Sequence, residues 1–168
     1  SIGDSDKFLY NLDKVASSIS TGEYIWKVEG EKDADALTEA GFTATCNLFG
    51  ATPGKWRSEY CDQLSGANLI CVPDEDETGY IHVFEIIRDL LNSNSCKSIR
   101  LIFLPVTYHG DISDYLVSGK SVYDLLGIAI DVSNYTIEQL SELLYISTKP
   151  NGTLVCNKFL GKSEYDVI

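Results

Sequence analysis

Methionine is missing from all 168 residues, and the chain opens on serine. Translation needs an initiator, so we expect an excised piece of a longer polypeptide. Basic residues are scarce too: 13 Lys and Arg stand against 25 Asp and Glu, a formal charge of −12. Phosphate neutralisation needs clustered Lys and Arg, so this piece alone is poorly suited to nucleic acid. No apolar run is long enough for a transmembrane helix, and no basic-then-apolar start marks secretion. We therefore expect a cytoplasmic protein with no membrane partner. The five cysteines (46, 61, 71, 96 and 156) are odd in number and form no C-x-x-C pair. That disfavours a disulfide frame or a zinc site, and reduced thiols are expected. Repeats and low-complexity tracts are also lacking.

What the chain does have is acid at its turns. Residues 24–28 (YIWKV) read as an apolar strand that ends in Glu29 and Gly30, and a helix is expected over 32–40 with Ala36, Leu37 and Ala40 inward. Residues 68–72 form a second such strand, followed by Asp74, Glu75, Asp76 and, through Gly79, by the clearest helical stripe: Val83, Ile86, Ile87, Leu90 and Leu91. Short strands are expected at 43–46 and 99–104, and 50–55 (GATPGK) reads as a loop. Asn11 is placed to cap a helix bearing Leu12, Val15, Ala16 and Ile19, and Trp56, Tyr60 and Leu64 are spaced for a helix face. Ser113 can cap a short helix, 121–126 forms another, and Thr136 with Gln139 makes a capping box ahead of a hairpin turn at Asn151-Gly152. Strands alternating with helices predict an α/β protein: a mostly parallel sheet of about four strands, helices on both faces. Ligands of such folds sit beyond the carboxyl ends of the strands.

Glu29, Asp74 and Asp76, with Asp111 and Asp114 on a longer reach, all follow strand ends. Mg²⁺ prefers oxygen ligands, and residues two apart in extended backbone point the same way, so Asp74 and Asp76 can share a cation while Glu75 points away. An Asp-x-Asp before a glycine is by itself no more than a turn with solvated acids. Three acidic corners in one α/β chain point to a site. Gly79 is expected to let the backbone turn tightly into the helix. Glu29 can serve as a metal ligand or as a general base, and Lys32 and Lys55 can contact phosphate. His82 is expected to be structural.

Three stretches, VEGEKDADAL (residues 28–37), CVPDEDETG (71–79) and GDISDYL (110–116), resemble the acidic motifs of the Toprim domain. The likeness is to the primase-like Toprim proteins of phages, plasmids and other mobile elements, and LYNL (9–12) and GATPGKW (50–56) extend it over residues 9 to 120. The resemblance implies a compact Rossmann-like fold and metal-dependent phosphoryl chemistry. It makes Glu29 the catalytic acid or base, with Asp33 and Lys32 beside it. Glu29, Asp74, Asp76, Asp111 and Asp114 become the metal set for Mg²⁺ or Mn²⁺, with Gly30, Gly79 and Lys55 near the nucleotide phosphates. In the primase branch the product is a short RNA made from NTPs on a single-stranded DNA template, with zinc-binding and helicase domains as companions. Thr78 and Tyr80 depart from the pattern, since relatives often place proline before the glycine and a basic residue after it.

The expected division is a lead-in helix (1–22), the Toprim catalytic domain (23–128) and a C-terminal extension (129–168). Two other readings stand beside the primase. One is a Toprim nuclease built on the same acids, with water as the attacking group. The other is a replication-complex binding module without chemistry, which the missing basic track would suit.

Overall fold

The computed structural model describes residues 6–48 and 56–161, so the expected loop at 50–55 and Lys55 lie outside the described residues. In chain order the elements are α1 (Leu12–Thr21), β1 (Tyr24–Lys27), α2 (Glu31–Glu39), β2 (Thr43–Thr45), α3 (Glu59–Gln63), β3 (Asn68–Cys71) and α4 (Glu77–Ser93). Then follow β4 (Ser98–Leu101), α5 (Ile112–Val117), α6 (Val122–Leu126), β5 (Ile130–Asp131), α7 (Ile137–Leu143), β6 (Ile146–Thr148) and β7 (Leu154–Cys156).

Side-chain parity along the strands decides the layers. Ile25, Leu69, Cys71, Ile99 and Leu101 face one way, where Val15 of α1, Tyr60 of α3 and the stripe Val83, Ile86, Ile87 and Leu90 of α4 close over them. Trp26, Val28, Ile70 and Val72 face the other way, under Ala34 and Leu37 of α2, Ile112 and Tyr115 of α5, and Val122 and Leu125 of α6. Burial of a side chain such as Leu37 contributes roughly 1.5–3 kcal/mol, which is what holds these short helices to the sheet. Both faces are covered, as a parallel sheet requires.

The strand order is β2-β1-β3-β4-β5. The first four run parallel, with Ile25 opposite both Thr43 and Leu69, while the two-residue β5 adds to β4 antiparallel. The expected four-strand parallel sheet is thus present with one short added edge. From β1 the chain steps outward to β2, then returns to the far side of β1 as β3. That reversal opens a crevice between the carboxyl ends of β1 and β3. The C-terminal residues complete the first layer: Val132, Leu140, Leu144, Cys156 and Phe159 are buried in the same cluster as α4. Among the described residues, no helix is long and apolar enough to cross a membrane.

Three local expectations are corrected. Asn11 stands at the N-cap of α1 in a left-handed conformation (φ 58°), but its side chain makes no cap and donates instead to the Ala44 carbonyl at 3.1 Å. This bond, with Tyr10 N–H to the Cys46 carbonyl (2.9 Å), ties the LYNL segment to β2. Trp56 precedes α3, which starts only at Glu59; its indole N–H donates to Asp89 at 2.9 Å while its ring packs edge-on against Tyr60. Gly79 makes no sharp turn: it lies inside the first turn of α4, where close approach rather than backbone freedom demands it.

Candidate metal centre

The acids collect at the β1–β3 crevice. Glu29, two residues past β1, turns its Oε1 onto the backbone N–H of Asp74, three residues past β3, at 3.2 Å. The two carboxyls also touch. Burial raises the proton affinity of both, and for Asp74 the neighbouring Glu29 carboxyl adds to the effect. Gly79 packs beneath this contact. A Cβ there would stand 2.3 Å from the Asp74 carbonyl oxygen and 2.6 Å from Glu29 Oε1, so only glycine fits.

Asp33, one turn into α2, is 4% exposed and reaches the same crevice. Ser113 donates to its Oδ1, and burial raises its proton affinity too. Oxygens of Asp33, Asp74 and Asp111 all lie within 4.8 Å of one another. Such a set of oxygen-only, like-charged donors suits a hard divalent cation, which would offset their repulsion. Asp33 and Asp74, driven towards protonation chiefly by burial, form with Asp111 a poor arrangement for water alone and a good one for an ion.

Other acids of the rim have structural duties. Asp76 caps α4, its Oδ1 accepting Gly79 N–H at 2.7 Å, while Oδ2 faces His109 Nδ1 at 3.2 Å. Asp111 and Asp114 form a reciprocal capping box at the start of α5: Asp114 N–H donates to Asp111 Oδ1 (2.9 Å) and Asp111 N–H to Asp114 Oδ2 (3.0 Å). Asp111, rather than the expected Ser113, is therefore the cap of α5. Asp114 is exposed, and Asp111 keeps Oδ2 for the exposed ammonium of Lys32 at 3.3 Å. Gly30 occupies the N-cap of α2 in an extended conformation, with open space where a Cβ would be.

The structure thus gathers Glu29, Asp33, Asp74 and Asp111 most tightly, with Asp76, Lys32 and Gly79 adjoining and Asp114 one step out. Two neighbours escaped the sequence reading. Lys27 is only 3% exposed, its ammonium donating to the Val28 carbonyl at 2.9 Å just behind Glu29, and burial lowers its proton affinity. Parity with Ile25 was the available signal, since both must face α4. His109 has a left-handed backbone (φ 71°) and rests its ring 3.9 Å from that of Tyr108; a non-glycine residue so held beside an acidic site carries no periodic signature. His82 is buried and bonded to Asn47 Oδ1 at 3.3 Å, and lines a small cavity with Lys27 and Glu29.

No family model matches the sequence, and no curated protein matches it. Solved structures do. The DnaG catalytic core superposes with a TM-score of 0.61 at 22% identity, over 88% of this chain and 47% of that one. A DNA primase domain from Pseudomonas aeruginosa gives 0.61 at 22% identity, over 83% and 44%. The DnaG primase catalytic domain bound to ssDNA gives 0.59 at 21% identity, over 88% and 47%. This chain spans less than half the length of each. What the likeness shows is architecture: a mainly parallel five-stranded sheet flanked by helices, the Toprim fold of DnaG primase cores.

Proposed function

We propose that the chain is the Toprim catalytic domain of a DNA primase, joining nucleotides into short RNA on single-stranded DNA. The observation that carries this reading is the meeting of Asp33, Asp74 and Asp111 within 4.8 Å, beside Glu29 and at the β1–β3 crevice of a primase-like fold. Asp33, Asp74 and Asp111, with Asp76 adjoining, would hold Mg²⁺ or Mn²⁺. When bound, the cation neutralises phosphate charge that this acidic chain otherwise repels.

The chain's own residues supply the rest. Glu29, half-buried and fixed by the Asp74 amide, is poised to take the proton of an attacking 3′-hydroxyl. Asp33, oriented by Ser113, turns an oxygen towards those of Asp74 and Asp111. Lys32 can exchange its contact with Asp111 for a triphosphate oxygen, and Lys55 would join it. Residues 23–128 would carry the chemistry and 129–168 brace it. With a charge of −12, the template grip must come from other domains. The resemblance of the motifs to those of mobile-element proteins would suit a primase-helicase arrangement.

The test is primer synthesis on single-stranded DNA with NTPs and Mg²⁺ or Mn²⁺. Short RNA should form, and Glu29→Gln or Asp74→Asn should reduce it by about 100-fold or more. Variants as active as the parent would defeat the site assignment. Cleavage of labelled DNA without NTPs would instead mark the nuclease reading.

A further inference from the structure

Glu75 stands between Asp74 and Asp76 yet plays no part in the centre just described. Its side chain is fully buried on the far side of the loop. Oε2 accepts the Tyr80 hydroxyl at 2.8 Å and Oε1 accepts Leu104 N–H at 3.1 Å. The same tyrosine oxygen accepts a bond from Lys158 Nζ at 2.9 Å, and the ammonium lies 4.9 Å and 4.8 Å from the ring centres of Tyr80 and Phe103. A buried carboxylate thus has its cation one hydroxyl away, delivered by a residue 78 positions beyond Tyr80. The Glu75 backbone is clamped as well: its N–H donates to the Gly110 carbonyl and its carbonyl accepts His109 N–H, both at 2.9 Å. Gly110 leads directly into Asp111.

We propose that Lys158 is a positioning residue of the acidic centre, acting through Tyr80 and Glu75 to fix the loop of Asp74 and Asp76 against the loop of Asp111. A buried carboxylate stripped of its counter-charge is strongly unfavourable, and its side chain swings away from Tyr80 and Leu104. That movement loosens the two backbone bonds that set the spacing between Asp74 and Asp111. Lys158 brings this positive charge to Tyr80 from the C-terminal turn. The consequence for metal rests on the proposed function; the strut itself does not.

The experiment compares the parent chain with Lys158→Met, Lys158→Arg, Tyr80→Phe and Glu75→Gln. In Lys158→Met and Tyr80→Phe, amide exchange should speed up at Glu75, Leu104 and His109 but not at Ile25 or Ile70, and Lys158→Arg should restore it. Mn²⁺ affinity should fall about 10-fold, as for the loss of an outer partner of a metal ligand. Lys158→Met should have no further effect in the Glu75→Gln background. Unchanged exchange, exchange that rises evenly over the sheet, or a full Lys158 effect without the Glu75 charge would each overturn the proposal. If Lys158→Met fails to fold, Tyr80→Phe decides. If the parent binds no Mn²⁺, the metal reading falls while the exchange pattern still judges the strut.

Discussion

Glu29 Oε1 accepts the backbone N–H of Asp74 at 3.2 Å, joining residues 45 apart at the ends of two neighbouring strands. The bond needs an oxygen, not a charge. Glu29→Gln keeps that oxygen and relieves the crowding with the Asp74 carboxyl, so its urea midpoint should match or exceed that of the metal-free parent. Glu29→Ala leaves the amide without its partner and should lose about 1–3 kcal/mol. Equal losses in the two variants would show that the bond does not hold the crevice together.

Gly79→Ala tests the floor of the same contact. Its Cβ would meet a main-chain oxygen at 2.3 Å, which cannot rotate away, besides Glu29 Oε1 at 2.6 Å. Alanine is otherwise the better helix former. Destabilisation by about 1–3 kcal/mol in urea unfolding, against that propensity, is the expected outcome of such overpacking. A gain in stability would mean that α4 shifts freely relative to Asp74.

Much of this arrangement is legible in the sequence because it depends on parity and on strand ends. Ile25 against Trp26, and Leu69 against Ile70, assign the two faces. Acids placed just past such strands in a doubly covered sheet have to emerge at one rim. What escaped depends on how separate elements meet. Asp33 joins Asp74 and Asp111 only because α2 is rotated so that Ser113 of α5 can grip it. Strand alternation has Glu75 pointing away from Asp74 and Asp76, and it does, but its burial needs Leu104 and Tyr80 from two other segments. Lys27 is a charge in a strand, which by itself suggests solvent, whereas parity puts it inside. Asp76 has the position of an N-cap three residues ahead of Gly79, a local signal that the metal reading overshadowed.

Asp76 and Asp74 should therefore separate cleanly by substitution. Asparagine caps a helix about as well as aspartate, so Asp76→Asn should keep parental stability while Asp76→Ala loses about 1 kcal/mol. Asp74→Asn removes a carboxyl crowded by Glu29 and should stabilise the metal-free chain by about 1–3 kcal/mol near pH 8. It should also abolish the rise in melting temperature on adding Mn²⁺. Calorimetry with and without Mn²⁺ reads both effects. Were Asp76→Asn to lose more Mn²⁺ affinity than Asp74→Asn, the ion would belong on the helix-cap side of the loop.

The dependence of stability on pH should have two limbs of opposite origin. Glu29, Asp33 and Asp74 have raised proton affinities in the folded chain, chiefly through burial. Each binds protons more tightly folded than unfolded, so its contribution is full below the ordinary carboxylate pKa of about 4 and declines as pH rises past it. His82 acts in the other direction: burial depresses it to about 3, so the neutral ring is favoured and stability falls as pH drops below the unfolded histidine value of about 6.5. At pH 5 that loss amounts to about 1–2 kcal/mol. His82→Asn should flatten the acid limb without altering the alkaline one. Mn²⁺ takes the place of protons among the carboxyls, so it should flatten the alkaline limb and raise the melting temperature more at pH 8 than at pH 5. Melting curves from pH 5 to 9 on parent and variant, each with and without Mn²⁺, separate the limbs; an equal Mn²⁺ effect at both pH values would place the ion away from the protonated acids.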